Sequence, residues 1–136
     1  MSGGLPNLDS RCAQFSYNIV NSIASNVTIS KSNKSKLVNI IDKSLGVLQD
    51  NGIYAFFLYL DYRKDELGAE EIKENSLKLL RHEEIDLLGK NKDHLVSVRQ
   101  LTGNLDRLTL AHRLLEQMLI YARYHAKSLR VTDDGM

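Results

Sequence analysis

Leu45-Gly46-Val47-Leu48-Gln49-Asp50-Asn51-Gly52-Ile53-Tyr54-Ala55-Phe56-Phe57-Leu58-Tyr59-Leu60 is the densest apolar stretch of the chain, holding two of its three Phe and two of its six Tyr. A polar break, Gln49-Asp50-Asn51-Gly52, divides it. Asn and Gly tolerate positive φ at little steric cost, so Asn51-Gly52 reads as a helix stop. Residues 53–60 are apolar on every face and are expected to be buried all round. Their aromatics would suit a short strand. No partner strand is evident elsewhere, so a helix over 53–64 is the reading, with amphipathic helices packed around it.

The surroundings agree with an all-α domain. The 136 residues are enough for one core but not two. Pro6 is the only proline, so nothing interrupts long helices in the interior. The single Cys12 excludes an internal disulfide and fits a reducing cytoplasm. No apolar run approaches the roughly 20 residues of a membrane span, and no secretory signal is visible. A net charge of +1 argues against a bulk polyanion binder but leaves room for a basic face. Residues 1–60 carry five Lys/Arg and three Asp/Glu, residues 61–93 seven and ten, and residues 94–136 six and four. The acidic run of Glu70, Glu71, Glu74, Glu83, Glu84 and Asp86 reads as a solvated helix face.

Residues 1–8 are expected to be a flexible leader, 9–130 one helical domain, and 131–136 a flexible tail. Ala13, Tyr17, Val20, Ala24 and Val27, with Ile23 beside them, predict a first helix over 10–26. Residues 25–36, rich in Ser, Asn and Lys, lack apolar periodicity and read as a loop. Leu37, Val38, Ile41, Leu45 and Leu48 share a face of a second helix over 34–50. After Gly68, Ile72, Leu79, Leu80 and Leu87 predict a fourth helix over 69–88, with an interruption near His82. A short fifth, 92–102, buries Leu95, Val98 and Leu101. Asn104 suits an N-cap for the sixth and longest, 105–129. The domain is a compact bundle of about six helices.

At about 100° per residue, the last helix gathers Leu110, Ala111, Leu114, Leu115, Met118, Leu119, Tyr121, Ala122, His125, Ala126 and Leu129 on one side. His125 therefore reads as a hydrogen-bonded core histidine. The opposite arc carries Arg113, Arg123, Lys127 and Arg130 against the single acid Glu116. Such a stripe is either a solvated face or a surface for nucleic-acid backbone, since Lys and Arg attract phosphate regardless of sequence. The four His fall in no paired spacing and the lone Cys has no partner, so no metal and no cofactor are expected. No phosphate loop, nucleophile elbow or triad is present, so no catalytic residue is assigned. Arg107-Leu108-Thr109-Leu110-Ala111-His112 has the spacing that resembles the motif of all-helical HEPN ribonucleases. There His would act as acid or base on a 2′-OH and Arg would steady the phosphate. On a regular helix the two residues diverge by roughly 140°, so that chemistry requires a bend.

Three segments resemble the small helical subunit of the type III-B CRISPR effector, the Cmr complex. They are the opening Arg11-Cys12-Ala13-Gln14-Phe15-Ser16-Tyr17-Asn18-Ile19-Val20, the Asn51-Gly52 break followed by Ala55, Phe56 and Leu58, and the closing Leu101 to Asp106 and Leu119-Ile120-Tyr121-Ala122-Arg123-Tyr124. The chain departs from the family in having Leu45-Gly46 where a Pro commonly precedes the break, and no Trp in the closing helix. The resemblance implies a non-enzymatic cytoplasmic scaffold with no membrane association. Several copies would pack side by side with larger subunits and hold guide and target RNA while neighbours cut. Arg113, Arg123, Lys127 and Arg130 are the first candidate RNA face, and Lys31, Lys34, Lys36 and Lys43 the second. A helical adaptor that binds protein without RNA is the third reading, beside the HEPN-like nuclease.

Overall fold

The computed structural model describes residues 8–131, which form six α-helices and no β-strand among the described residues. The leader and tail expected at 1–8 and 131–136 lie outside the described residues, except for Leu8 and Val131. Leu8 belongs to the first helix and packs against the core. No helix among the described residues is long and apolar enough to cross a membrane.

The first helix, α1 (Leu8–Asn26), buries Cys12, Phe15, Ile19, Val20 and Ile23. Its face is rotated from the one the sequence suggests: Tyr17 is 54% exposed, and Ala13 and Ala24 lie at the margin. The row Cys12–Phe15–Ile19–Ile23 removes more apolar area from water than a row containing two alanines, and it wins the core. The second helix, α2 (Lys31–Asn51), starts inside the segment expected to be a loop. Ser30 caps it, its hydroxyl accepting from the Asn33 N–H at 3.0 Å, while buried Ile29 pins the turn. The first turns of α2 carry Lys, Ser and Asn because they face solvent, which is why periodicity missed them.

Gly52 ends α2 as expected, at φ 93° and ψ −177°, its N–H bonding the Leu48 carbonyl. Its own carbonyl accepts from Phe56 N–H, so the next helix, α3 (Ile53–Tyr62), starts without a spacer. α3 buries Ile53, Phe56, Phe57 and Leu60, whose spacing makes one face. Leu58 and Tyr62 lie on the other and are 43% and 80% exposed. The expectation of burial on every side fails because α2, α4 and α5 cover α3 from one side only.

α4 (Ala69–Arg81) follows Gly68, which sits at φ 94°. Glu70 and Glu71 in its first turn and Lys78 and Arg81 in its last complement the helix dipole. The helix stops at Arg81 rather than Leu88. His82 turns to an extended conformation, and the N–H groups of Leu87 and Leu88 both return to the Leu80 carbonyl. Leu87 and Leu88 are still buried, so the apolar pattern is satisfied by a folded-back loop. α5 (His94–Leu101) is capped by Asp93, and its Leu95 is only partly buried. α6 (Leu105–Lys127) is capped by Asn104, whose side-chain oxygen accepts from Arg107 N–H at 3.1 Å.

α6 packs against α1 and α2, and these three form the frame of the bundle. Lys34 donates to the Leu129 carbonyl at 2.9 Å, Arg123 pairs with Asp42, and Gln49 donates to Glu116 at 3.0 Å. Positions advance on α2 as they fall on α6, so the two helices are antiparallel. α1 runs with α6: Cys12 Sγ approaches the Leu114 carbonyl at 3.4 Å and Tyr17 meets the His125 ring edge-on at 5.9 Å. The end of α1, the start of α2 and the end of α6 therefore share one end of the molecule.

Candidate nucleic-acid interface

That shared end has a distinctive charge. Residues 10–41 and 117–131 contain no Asp or Glu but seven Lys and Arg: Lys31, Lys34, Lys36, Arg123, Lys127 and Arg130 toward this end, and Arg11 at the opposite end of α1, paired with Glu84 at 2.7 Å. The sequence separates the two segments by 75 residues. Antiparallel packing of α2 on α6 brings them together, and the Lys34–Leu129 bond fixes the junction. Local charge governs attraction of a polyanion within a Debye length of roughly 8–10 Å, so exposed Lys31, Lys127 and Arg130 can attract phosphate although the chain is nearly neutral and Arg123 is already paired with Asp42.

The eight residues expected from the sequence fall into three groups. Lys31, Lys127 and Arg130 are exposed at the shared end, with Lys34 between them occupied by the Leu129 carbonyl. Lys36 and Lys43 turn along α2 toward α3. Lys36 lines a groove of about 570 Å³ that also contains Asn39, Asp65 and Glu66, and Lys43 lines a second with Asp50 and Arg63. Acidic neighbours reduce the attraction of both sites for phosphate. Arg113 is exposed on the half of α6 nearer its N-terminus, away from the cluster. Arg123 spans α6 to α2 through Asp42 at 2.5 Å. That pair holds the two helices in register, so Arg123 serves the architecture of the site.

The spacing places Tyr124 on the outer arc of the last helix, beside the cations, but misses Tyr17 and His125 as surface groups. Apolar spacing puts Tyr17 on the inward face of the first helix and His125 in the core of the last. His125 is exposed, and its ring lies edge-on to the half-exposed Tyr17. The stronger Phe15–Ile19–Ile23 row was the signal that could have turned Tyr17 outward. Tyr124, 64% exposed, stands one turn before Lys127 on α6. On the other flank of α1, Asn18, Asn21 and Ser22 line a pocket of about 290 Å³ with Asn75 and Lys78 of α4.

Arg107 and His112 are held by different partners. The Arg107 guanidinium donates to the Asp86 carbonyl at 2.7 Å. His112 Nε2 lies 3.0 Å from the Leu48 carbonyl, where it must be the donor, and Nδ1 is 3.4 Å from Glu116. α6 is helical through both positions, and the two side chains reach separate partners, the Asp86 and Leu48 carbonyls. Among the described residues no three His, Cys, Asp or Glu gather as a metal site. Burial pushes the Cys12 thiol up to about 11, reinforced by nearby Asp9. A hydrogen bond to Asp9 likewise raises Tyr121 above the usual phenol range.

No family model, curated protein or solved structure matches this chain.

Proposed function

We propose that this chain is a non-catalytic small subunit of a type III-B CRISPR ribonucleoprotein, contacting the backbone of guide or target RNA through the end of the bundle where α1, α2 and α6 meet. The observation that carries the RNA contact is the acid-free pair of segments, 10–41 and 117–131, joined in space. Exposed Lys31, Lys127 and Arg130 act on phosphates there. The choice of complex rests on the likeness of the opening helix, the Asn51-Gly52 break and the closing helix to the Cmr small subunit. A protein lining a guide–target duplex needs only charge and shape, because base pairing supplies sequence choice. The acidic middle, residues 61–93, is left to meet protein neighbours. Arg107 and His112, each occupied elsewhere, give the nuclease reading no geometric help.

The test is purification of the tagged chain from cells of its own source. Recovery of a short guide RNA with larger Cmr subunits is expected, and the paired change Lys127→Glu and Arg130→Glu should deplete the RNA. Recovery of one protein partner at fixed stoichiometry, with no RNA and no salt-sensitive RNA binding by the isolated chain, would instead identify a protein adaptor.

A further inference from the structure

The surface across α1 and α6 differs from an ordinary solvated face in one respect. Its exposed groups are aromatic rings and amides, with cations only at its two edges. Tyr124 and Lys127 lie on the outer ridge of α6; one step round the helix is His125, which meets Tyr17 of α1 at 5.9 Å. Beyond Tyr17, one turn along α1, comes Asn21. Asn21 and Asn18 open into the 290 Å³ pocket that Lys78 closes from α4. Tyr17 and Tyr124 are 54% and 64% exposed, so both offer a ring face or edge to a ligand. Residues 10–26 of α1 and 117–127 of α6 carry no acid; Asp9, in the first turn of α1, accepts from the Tyr121 hydroxyl, and Glu74 lies one turn before Lys78 on α4.

Phosphate binding alone needs none of this. A duplex hides its base faces and would use the cations only. Unpaired bases, by contrast, stack on aromatic rings and expose hydrogen-bonding edges that suit amide side chains. We infer that this surface binds a single-stranded stretch of nucleic acid, its bases stacked on Tyr17 and Tyr124, base edges met by Asn18 and Asn21, and phosphates held at Lys127 and Lys78. The inference rests on the RNA-contact reading above and adds to it the strandedness of the ligand and the residues that recognise its bases.

The experiment is fluorescence anisotropy with the full chain and three labelled probes. These are a single-stranded RNA of about a dozen nucleotides, within the range of known single-strand sites, a strand of equal length and charge lacking its bases, and the RNA duplex. The base-bearing strand should bind at least roughly fivefold tighter than the base-free strand. Tyr17→Leu and Tyr124→Leu should each weaken the base-bearing strand by roughly five- to a hundredfold, the range of a lost base–aromatic stack. Neither change should alter the base-free strand. Circular dichroism should show both variants, being surface changes, to keep the fold. Equal binding of both strands, with the tyrosine variants unchanged, would overturn this inference while leaving the backbone-contact reading in place. Tighter binding of the duplex would do the same. Failure of all three probes to bind would overturn both.

Discussion

Gly68→Ala is the substitution that most sharply probes how α4 is seated on α1 and α2. Gly68 has φ +94°, where an L side chain is strained. The backbone contribution is about 1–2 kcal/mol. A methyl at this position would also stand 2.9 Å from Leu37 Cδ1, 3.1 Å from Ile40 Cγ2 and 3.5 Å from Ile23 Cδ1. Side-chain ends can often swing aside, but Leu37, Ile40 and Ile23 are all core residues with almost no exposed area. Overpacking of this kind costs about 1–3 kcal/mol, so the whole destabilisation is about 2–5 kcal/mol. Gly52→Ala is the control. Gly52 has φ +93° but no atom within 4 Å of the added methyl, so only backbone strain of roughly 1–3 kcal/mol applies. Urea denaturation followed by circular dichroism gives both values. The two contributions separate in the Leu37→Val background, which removes Cδ1. There Gly68→Ala should cost about 1–2 kcal/mol less than in wild type, whereas Gly52→Ala should add within about 0.5 kcal/mol. A Gly68→Ala cost below about 1 kcal/mol, or strict additivity with Leu37→Val, would refute the packing argument.

The two faces of α3 should respond oppositely to mutation. Phe56→Ala, at a site with no exposed area, should lose about 3–5 kcal/mol, and Leu58→Ser, on the open face, no more than about 0.5 kcal/mol by urea titration. Equal losses would mean that a partner covers the outer face of α3 in solution. Cys12 should resist thiol reagents in the native protein near neutrality and react on unfolding. Its folded pKa is raised from 9.0 to about 11, so its contribution to stability is full below pH 9 and is lost as pH rises through about 11. Tyr121, also raised, acts in the same direction, and midpoints of denaturation should fall across this alkaline window. Rapid labelling of Cys12 in the folded protein at pH 8 would contradict its burial.

Element type was readable from the sequence because apolar spacing at three and four residues needs no tertiary information. The Asn51-Gly52 stop and the Asn104 cap were readable for the same local reason: backbone φ and an unsatisfied N–H make their own demands. Three features depended on the neighbours. The start of α2 carries no apolar pattern, since its first turn is solvated and its anchor, Ile29, lies before the cap. The rotation of α1 was decided by competition between two apolar rows, which only the shape of the facing helices resolves. The outer face of α3 is apolar without being covered. The candidate site was legible as two lists of cations. Their fusion was not, because Lys34 and Leu129 are 95 positions apart, and Tyr17 was hidden by its place in the apolar row of the first helix, whereas Tyr124 falls on the outer arc of the last helix from its spacing alone.

The most direct test of an anion-binding bundle end is the salt dependence of RNA affinity, comparing wild type with a Lys31→Gln, Lys127→Gln, Arg130→Gln triple variant. Three phosphates neutralised on a single strand give a slope of log K against log salt of about −2, or a roughly fifteen- to twentyfold loss of affinity between about 50 and 200 mM salt. The account predicts a slope at least that steep for wild type and one of about −0.7 or shallower for the triple variant, which keeps only Lys78 among the proposed phosphate contacts, with the fold intact. A wild-type slope that the triple variant reproduces would contradict it.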